Sequence, residues 1–311
     1  MAEPAPRRTA PALPLLTTAG TLELGGRPWL MGVVNATPDS FSEAGGNRTL
    51  DERVELARSL LAAGADIIDV GGESGVTNQP PVAPEEEIER VVPLIERVTR
   101  ELRAVVSVDT YKPAVAHAAI GAGAAIVNDV SGLRDPELAD VCAGTGAALV
   151  LMHTRAAPKE KLLDPTLDGL VGADVKRFLR ERMSVAMAHG VAFEQLMLDP
   201  GPDFGKTPAQ TVEVLRELSE LHDLERPLLL AVSRKYFIGM LTDTLPEDRL
   251  AGTIAALEFG VSHGARIVRV HDVAQVAQYL RLRAALHGDG PVAMRGSRDD
   301  ERLKWIAPKA P

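Results

Sequence analysis

The chain has 311 residues, of which 45% are hydrophobic and 25% are charged, and its formal net charge at pH 7 is -9. These values are typical of a soluble globular protein with one large domain or two small ones. The acidic balance and an aromatic content of 4% argue against a nucleic-acid partner, and no apolar run reaches the ~20 residues that a membrane span needs. The single cysteine, Cys142, cannot form an internal disulfide, so a reducing, cytoplasmic location is expected.

The two ends of the chain lack the patterns of packed structure. Residues 1–20 have no long apolar region and no clear cleavage site, so we expect a disordered N-terminal tail rather than a signal peptide. Residues Thr21–Pro28 predict a short hairpin with a Gly-Gly turn. Residues 288–311 follow the last predicted helix and are expected to form an irregular tail. The region 21–287 is therefore predicted to be a single domain.

The first repeated pattern begins at Trp29. An apolar run from Trp29 to Val34 stops at Asn35 and is followed by a loop rich in Pro and Gly that ends at Gly46. This pattern predicts a buried strand that delivers an amide side chain to a mobile loop.

The same order of strand, polar residue and helix recurs along the whole chain. Strands are predicted at 29–34, 67–70, 105–108, 126–127, 148–152, 196–198, 228–232 and 267–270. Helices are predicted at 50–63, 88–102, 114–122, 137–143, 175–189, 212–221, 249–259 and 273–286. Apolar strands that alternate with helices imply a parallel sheet buried on both faces, and eight such units in roughly 250 residues predict a (β/α)₈ TIM barrel. An open doubly wound sheet is the alternative, but it needs fewer strands and no closure.

Polar side chains stand where nearly every predicted strand ends. In a barrel of this kind the active site lies at the C-terminal ends of the strands. Singly, an Asp, Asn or Ser at such a turn is usually a helix N-cap, and we assign Asp129 and Asp272 to capping or loop structure. Helix capping does not explain why Lys235, Arg269 and His271 also stand at strand ends. The residues at the strand ends are Asn35, Gly72, Glu73, Asp109, Asn128, Asp129, His153, Asp199, Ser233, Arg234, Lys235, Arg269 and His271.

These residues divide into two chemical groups. Asp109, Asn128, Asp199 and Lys235 combine two carboxylates, an amide and an ammonium, which suits a flat heterocycle with a guanidine-like edge. The second group suits an anion such as phosphate, with or without a divalent metal, and it consists of Asn35, Arg269 and His271.

Two further stretches narrow this interpretation. The segment DPGPDFGKT, residues 199–207, lacks the spacing of a nucleotide phosphate loop, so a site of that kind is rejected. The segment AVSRKYFIG, residues 231–239, places two cations at the start of a helix, which favours a ligand with negative charge or carbonyl oxygens.

With these motifs in chain order, the sequence resembles the dihydropteroate synthase family over about residues 21–287. The stretches that carry the resemblance are MGVVNATPDSF, DVGGES, SVDTYKPAVA, IVNDVSG, LMHTRAAP, LDPGPDFGKT, AVSRKYFIG and IVRVHDV. The family is a (β/α)₈ barrel, typically dimeric. It acts in folate biosynthesis and joins the pyrophosphate ester of hydroxymethyl-dihydropterin to para-aminobenzoate, with release of pyrophosphate.

The resemblance implies a role for each matching residue. Asn35 would help to place Mg²⁺, and Lys235, Asp109 and Asn35 would be catalytic. The implied chemistry is dissociative: pyrophosphate leaves, a cationic methylene-pterin is stabilised, and the aniline nitrogen attacks. The implied pterin contacts are Asp109, Asn128, Met152, Asp199, Phe204 and Lys235, and the implied pyrophosphate contacts are Asn35, Arg269 and His271.

The sequence departs from the family pattern on the side of the second substrate. Gly75 and Val76 stand where the family has Thr or Ser and then Arg, and Tyr236 follows Lys235 where a Ser or a basic residue is common. Pro202–Asp203 also replaces an apolar-Gly pair.

Three hypotheses therefore stay open. The first is a working dihydropteroate synthase, the second is the same barrel with a different acceptor, and the third is a pterin-binding protein without catalysis. The pterin domain of corrinoid methyltransferases is a related alternative that Arg234, Lys235, Arg269 and His271 argue against.

Overall fold

An antiparallel hairpin precedes the main domain. The computed structural model describes residues 12–37, 48–74, 80–160 and 162–288, together with Gly296. In it, β1 (Leu13–Thr17) pairs with β2 (Gly20–Leu24). The prediction of a disordered tail over residues 1–20 is therefore wrong for residues 13–20, and residues 1–11 lie outside the described part.

The turn of this hairpin differs from the predicted one. It lies between the two strands, where the Thr17 hydroxyl donates to the Gly20 carbonyl oxygen at 2.7 Å, and the Gly-Gly pair follows β2 instead. The hairpin forms because Leu15 and Leu24 are fully buried against the barrel strands. The apolar alternation in β1 is too short to be recognised without the surface that it covers.

Eight parallel strands close into a barrel. Its last strand pairs with its first, with Arg269 opposite Met31, so no strand edge is left open. The predicted TIM barrel is confirmed. The strands in chain order are β3 (Trp29–Asn35), β4 (Ile67–Gly71), β5 (Val105–Asp109), β6 (Ile126–Asp129), β7 (Ala148–Met152), β8 (Leu196–Asp199), β9 (Leu228–Leu230) and β10 (Ala265–Val270).

Helices cover the outside of the barrel. They are α1 (Leu50–Ala63), α2 (Pro84–Leu102), α3 (Pro113–Gly121), α4 (Glu137–Thr145), α5 (Val171–Ala188), α6 (Pro208–Arg216), α7 (Tyr236–Thr242), α8 (Leu250–Ser262) and α9 (Val273–His287). Prolines at the first position start α2 and α6 one turn earlier than predicted, because a fixed φ near -65° is already helical. Helix α6 also ends early, at Arg216, and a 3₁₀ segment over Leu218–Leu224 follows it.

The interior of the barrel is apolar at the end next to the hairpin and polar at the opposite end. Met31, Ile67 and Ile126 fill the end next to the hairpin and are fully buried. Higher up, Asp69 and Ser107 are also fully buried, opposite each other in register on β4 and β5. Since alternate residues of a strand share a face, Ile67 and Asp69 both point inward. The apolar floor thus supports a polar upper layer.

Among the described residues, no helix combines the length and the apolar character that crossing a membrane requires.

Candidate active site

An arginine links two carboxylates at the top of the barrel. Arg269 on β10 donates from Nε to Asp69 Oδ2 at 2.6 Å and from Nη2 to Asp109 Oδ2 at 2.8 Å. Asn128 Nδ2 lies 3.4 Å from the same Asp69 oxygen. Arg269, which the sequence assigns to the anion group, therefore lies beside Asp109 of the heterocycle group. The two groups distinguished by chemistry are not separate in space.

Asp69 is a residue of this site that the pattern of polar strand ends does not predict. It lies in the middle of β4 and not at its end, and its Oδ1 has no hydrogen-bond partner among the described residues. A buried polar atom of this kind is normally satisfied by water or a ligand. The signal in the sequence is a carboxylate two residues after Ile67 inside an apolar strand.

Crowding of carboxylates changes the acidity of Asp109. Burial raises the pKa of Asp109 and the neighbouring Asp69 adds to this, while the Arg269 guanidinium opposes both. The ion pair at 2.8 Å favours the ionised form. The upper layer is thus built to hold negative charge close to one cation.

Asp199 and Met152 end neighbouring strands and are paired in register. Asp199 Oδ1 accepts a hydrogen bond from the Gly201 backbone N–H at 2.7 Å. Burial raises the pKa of Asp199 to about 6, against the lowering effects of that hydrogen bond and of Lys235. The carboxylate is therefore ionised at neutral pH and ready to accept hydrogen bonds.

Lys235 meets an aromatic ring at the barrel mouth. Its Nζ lies 4.1 Å from the centroid of the Phe204 ring, within the range of a cation–π contact. Burial lowers the pKa of Lys235, whereas the carboxylates of Asp203 and Asp199 oppose the shift. The structure thus brings together two of the predicted heterocycle contacts, Lys235 and Phe204.

The side chains of Asn35 and Asp109 both lie close to Gly71. A Cβ on Gly71 would lie 3.9 Å from Asn35 Oδ1 and 3.6 Å from Asp109 Cβ. A larger residue at position 71 would therefore occupy the space between the two functional side chains.

His271 is held by a neighbouring hydroxyl. Its Nδ1 lies 3.0 Å from Ser233 Oγ. Burial, together with the positive charge of Arg269, lowers the pKa of His271 to about 4. At neutral pH the free protein therefore offers an uncharged imidazole at this point, and a bound anion would favour its protonation.

Two polar residues singled out from the sequence have structural partners. Arg234, next to Lys235, donates from Nε to Asp272 Oδ2 at 2.9 Å. Asp272 does not cap α9 through its side chain and pairs with Arg234 instead. Asp129 accepts a hydrogen bond from the Ser131 backbone N–H at 2.7 Å and another from Leu133, as expected of a loop-forming residue.

Glu73 anchors the start of the loop after β4. Its Oε2 accepts from Lys112 Nζ at 2.6 Å and from the Val82 backbone N–H at 2.9 Å, and Tyr111 donates to Oε1 at 3.1 Å. The Glu73 carboxylate is thus held by contacts within the protein. Gly75 and Val76 lie outside the described residues, as do positions 38–47 of the loop after Asn35.

Comparison with known proteins assigns this arrangement to a family. The family model described as "Pterin binding enzyme" matches residues 31–271. The chain is 39% identical over 255 residues to dihydropteroate synthase of Escherichia coli strain K12, covering 82% of this chain and 90% of that protein. It is 41% identical over 264 residues to dihydropteroate synthase of Bacillus subtilis strain 168, covering 85% and 90%.

Solved structures agree with the sequence comparison. Xanthomonas albilineans dihydropteroate synthase with 4-aminobenzoic acid has a TM-score of 0.78 at 42% identity, and the match covers 86% of this chain and 95% of that one. Yersinia pestis dihydropteroate synthase in a sulfonamide drug complex has a TM-score of 0.83 at 37% identity, covering 89% and 100%.

The closed barrel with its polar strand ends is therefore that of a pterin-binding barrel enzyme. Within that class, the chain belongs to the dihydropteroate synthase family, whose members are transferases of folate biosynthesis. The family resemblance found in the sequence is confirmed.

Proposed function

We propose that this protein condenses 6-hydroxymethyl-7,8-dihydropterin pyrophosphate with para-aminobenzoate to give 7,8-dihydropteroate and pyrophosphate. The observation that carries the proposal is the convergence of Asp109, Asn128, Asp199 and Lys235 at one end of a barrel that is 39% identical to the E. coli dihydropteroate synthase. A second structure of the Xanthomonas albilineans dihydropteroate synthase is described in complex with 7,8-dihydropteroate.

The pterin ring fits the heterocycle group by its hydrogen-bonding edges. Asp199 and Asp109 accept from ring N–H groups, and Asn128 both donates and accepts. Lys235 donates to the ring carbonyl. Met152 and Phe204 supply apolar contact against the faces of the ring. These assignments are part of the proposal.

The pyrophosphate is proposed to lie against Asn35, Arg269 and His271. Arg269 has five N–H donors, and its contacts from Nε and Nη2 to Asp69 and Asp109 leave others for phosphate oxygens.

A magnesium ion suits this set of residues. Mg²⁺ is usually held by one or two protein oxygens together with substrate phosphates, and within the described ranges no cluster of three His, Cys, Asp or Glu side chains forms a cage for a metal. The carboxamide oxygen of Asn35, near Asp109 and at the mouth, fits such a ligand. When bound, Mg²⁺ supplies neutralising charge to the leaving pyrophosphate.

The proposed reaction proceeds by departure and capture. The C–O bond to pyrophosphate breaks with its electron pair on oxygen, which leaves a cationic methylene-pterin next to the carboxylates of Asp109 and Asp199. The aniline nitrogen then forms the C–N bond and releases a proton. Lys235, Asp109 and Asn35 are the proposed catalytic residues, and no protein nucleophile is required. Cys142 is buried, and burial raises the pKa of its thiol to about 12.

The proposal also includes the oligomeric state of the protein and its location in the cell. Large apolar side chains that are exposed concentrate on the last turn of α7 and the loop after it, and we call them the α7 apolar group: Met240, Leu241 and Leu245. Exposed apolar surface of this kind favours contact between proteins, which supports a homodimer. A cytoplasmic location is also proposed.

The product assay is the direct test. Purified protein is incubated with the pterin pyrophosphate, Mg²⁺ and para-aminobenzoate, and dihydropteroate is quantified. We expect product formation with stoichiometric release of pyrophosphate. Absence of dihydropteroate at high enzyme concentration would contradict the proposal.

A different acceptor is the second candidate. Tyr236 next to Lys235 is 58% exposed, so its ring is available to contact an acceptor, and Gly75 and Val76 depart from the family pattern in the loop after β4. Pyrophosphate release with another amine, but not with para-aminobenzoate, would favour this candidate. Pterin binding without turnover under any acceptor would instead indicate a binding protein.

A further inference from the structure

A buried ammonium organises the loop between β8 and α6. Lys206 is 4% exposed, and its Nζ donates to the Gly201 carbonyl oxygen at 2.8 Å and to the Phe204 carbonyl oxygen at 3.2 Å. It also lies 2.7 Å from His153 Nδ1. The ammonium thus has four acceptors within reach, the fourth being the His153 carbonyl oxygen at 3.4 Å, and two of the four lie in the loop that separates Asp199 from Phe204.

Each loop acceptor connects to a proposed pterin contact. Gly201, whose carbonyl oxygen accepts from Lys206, donates its backbone N–H to Asp199 Oδ1 at 2.7 Å. The ring of Phe204, whose carbonyl oxygen also accepts from Lys206, lies below Lys235 Nζ at 4.1 Å. One ammonium therefore sets the positions of two side chains that meet the heterocycle.

The histidine beside Lys206 has a defined protonation. Because the ammonium donates to His153 Nδ1, the imidazole proton is on Nε2, which faces Asp174 Oδ2 at 3.2 Å. Burial, together with the Lys206 charge, lowers the pKa of His153 to about 4, which keeps the ring neutral. Asp174 in turn accepts from Arg155 Nε at 2.8 Å. The loop is thus connected through His153 to helix α5.

A contribution to folding stability does not explain why Lys206 is buried. Within the described part of the chain all its hydrogen-bond acceptors are uncharged, and no carboxylate forms an ion pair with it. A buried ammonium without a paired charge is costly. Burial accordingly lowers the pKa of Lys206 to about 7, although the Asp199 carboxylate opposes the shift.

We propose that Lys206, held by His153, is a positioning residue that orients Asp199 and Phe204 for recognition of the pterin heterocycle. This inference rests on the proposed function. Lys206 acts through the Gly201 and Phe204 carbonyl groups and does not itself contact the substrate. Removing the ammonium should therefore weaken binding of the heterocycle and leave binding of pyrophosphate unaffected.

The test compares two ligands on one variant. In Lys206→Met, calorimetry should show the Kd for 6-hydroxymethylpterin raised about tenfold or more. With Mg²⁺ present, the Kd for inorganic pyrophosphate should stay within about twofold. The melting temperature should change by less than ~5 °C, because the loss of three hydrogen bonds is offset by removal of a buried charge. The matched control is Lys176→Met, which removes a lysine that pairs with Asp223 at 2.6 Å on the outside of α5 and should change neither Kd.

A second pair of variants tests the role of His153 and does not depend on Lys206→Met folding. His153→Leu removes the acceptor for Lys206 and should raise the Kd for the pterin about threefold to tenfold. His153→Gln can still accept from Lys206 and donate to Asp174, so its Kd should lie closer to that of the wild type.

Each further outcome has a clear meaning. Wild-type affinity for the pterin in a folded Lys206→Met variant, or in His153→Leu, would overturn the inference. Equal weakening of the pterin and pyrophosphate sites would also overturn it, since that pattern indicates general damage. If the wild-type protein itself binds no pterin, the proposed function fails and this inference fails with it.

Discussion

At the scale of single residues, Arg269 combines two tasks that its sequence position does not reveal. It is proposed to bind the leaving pyrophosphate, and it also separates the carboxylates of Asp69 and Asp109, which would repel each other without it. The planar guanidinium suits both tasks because its N–H donors are fixed in a fork. An ammonium in its place would satisfy fewer acceptors.

The first prediction follows from this geometry. Arg269→Lys should lower kcat/KM for the pterin pyrophosphate by ~100-fold, because the fork to Asp69 and Asp109 is lost. Steady-state kinetics measures this loss. Arg266→Lys, the same change on the same strand, is the control and should leave kcat/KM within about twofold.

The second prediction concerns the acidity of Asp199, whose pKa burial raises to about 6. Because the folded pKa exceeds the value of about 3.9 expected in an unfolded chain, the native state binds the proton more tightly, and this group's contribution to stability falls as the pH rises from about 4 to 6. Activity that needs the carboxylate should change in the opposite direction, increasing as the pH rises through about 6.

Asp199→Asn separates these two effects. Its Oδ1 can still accept from Gly201, so the variant should fold, with a free energy of unfolding at pH 7.5 that is ~1–3 kcal/mol higher than that of the wild type. Its kcat/KM should be lower by ~100-fold. Urea unfolding and the product assay measure the two quantities, and a variant that is both less stable and fully active would contradict the assignment.

At the level of secondary-structure elements, the loops after the strands depend on backbone conformations that few residue types adopt. Gly201 has a φ of +63°, and a Cβ there would lie 2.0 Å from the His153 carbonyl oxygen. Asp203, which replaces a family glycine, has a φ of +65°, and its carboxylate accepts from the Phe237 backbone N–H at 3.2 Å. The loop thus accommodates Asp203 because the side chain binds the first turn of α7.

The third prediction uses the close contact at Gly201. Gly201→Ala should lower the free energy of unfolding by ~2–4 kcal/mol, because the added methyl group displaces the β8–α6 loop as well as straining the backbone. Gly169 also has a positive φ, of +76°, but a Cβ there would meet no atom of the described residues within 4 Å. Gly169→Ala is therefore the matched control and should cost only ~1 kcal/mol. Equal losses in urea unfolding would mean that the close contact at Gly201 is unimportant.

At the scale of the whole molecule, the barrel separates stability from chemistry along its axis. The hairpin and the apolar floor close one end, with Leu15, Met31 and Ile67 fully buried. The other end holds the carboxylates of Asp69, Asp109 and Asp199, where repulsion and burial cost stability. The floor can support this cost because its packing is independent of the charged layer.

The fourth prediction concerns the assembly of two chains. If the α7 apolar group forms the proposed dimer interface, Leu241→Glu should shift sedimentation of the protein from dimer to monomer, because a charge would be buried in the contact. Leu241 is 65% exposed in the single chain, and Leu170, which is 60% exposed at the start of α5, offers a matched control. Leu170→Glu should leave the dimer intact. Sedimentation of the wild type as a monomer would contradict the dimer itself.

The order of elements was predictable because its causes are local. Helix α1 spans the predicted residues 50–63 and ends at Gly64, whose φ of +117° favours glycine. Strand β7 also has its predicted bounds, 148–152. The hairpin was misplaced because β1 has only five residues, and its burial depends on a barrel floor assembled from distant strands.

The barrel, the family and the polar residues at the strand ends are all evident from the amino-acid sequence, because hydrophobic period, glycine terminators and motif order are properties of neighbouring residues. Which of these side chains meet depends on contacts between distant parts of the chain. Arg269 joins Asp69 and Asp109, 200 and 160 residues earlier in the chain, and Lys206 joins His153, 53 residues earlier. Such contacts form only when the barrel closes, because they depend on the register of all eight strands together.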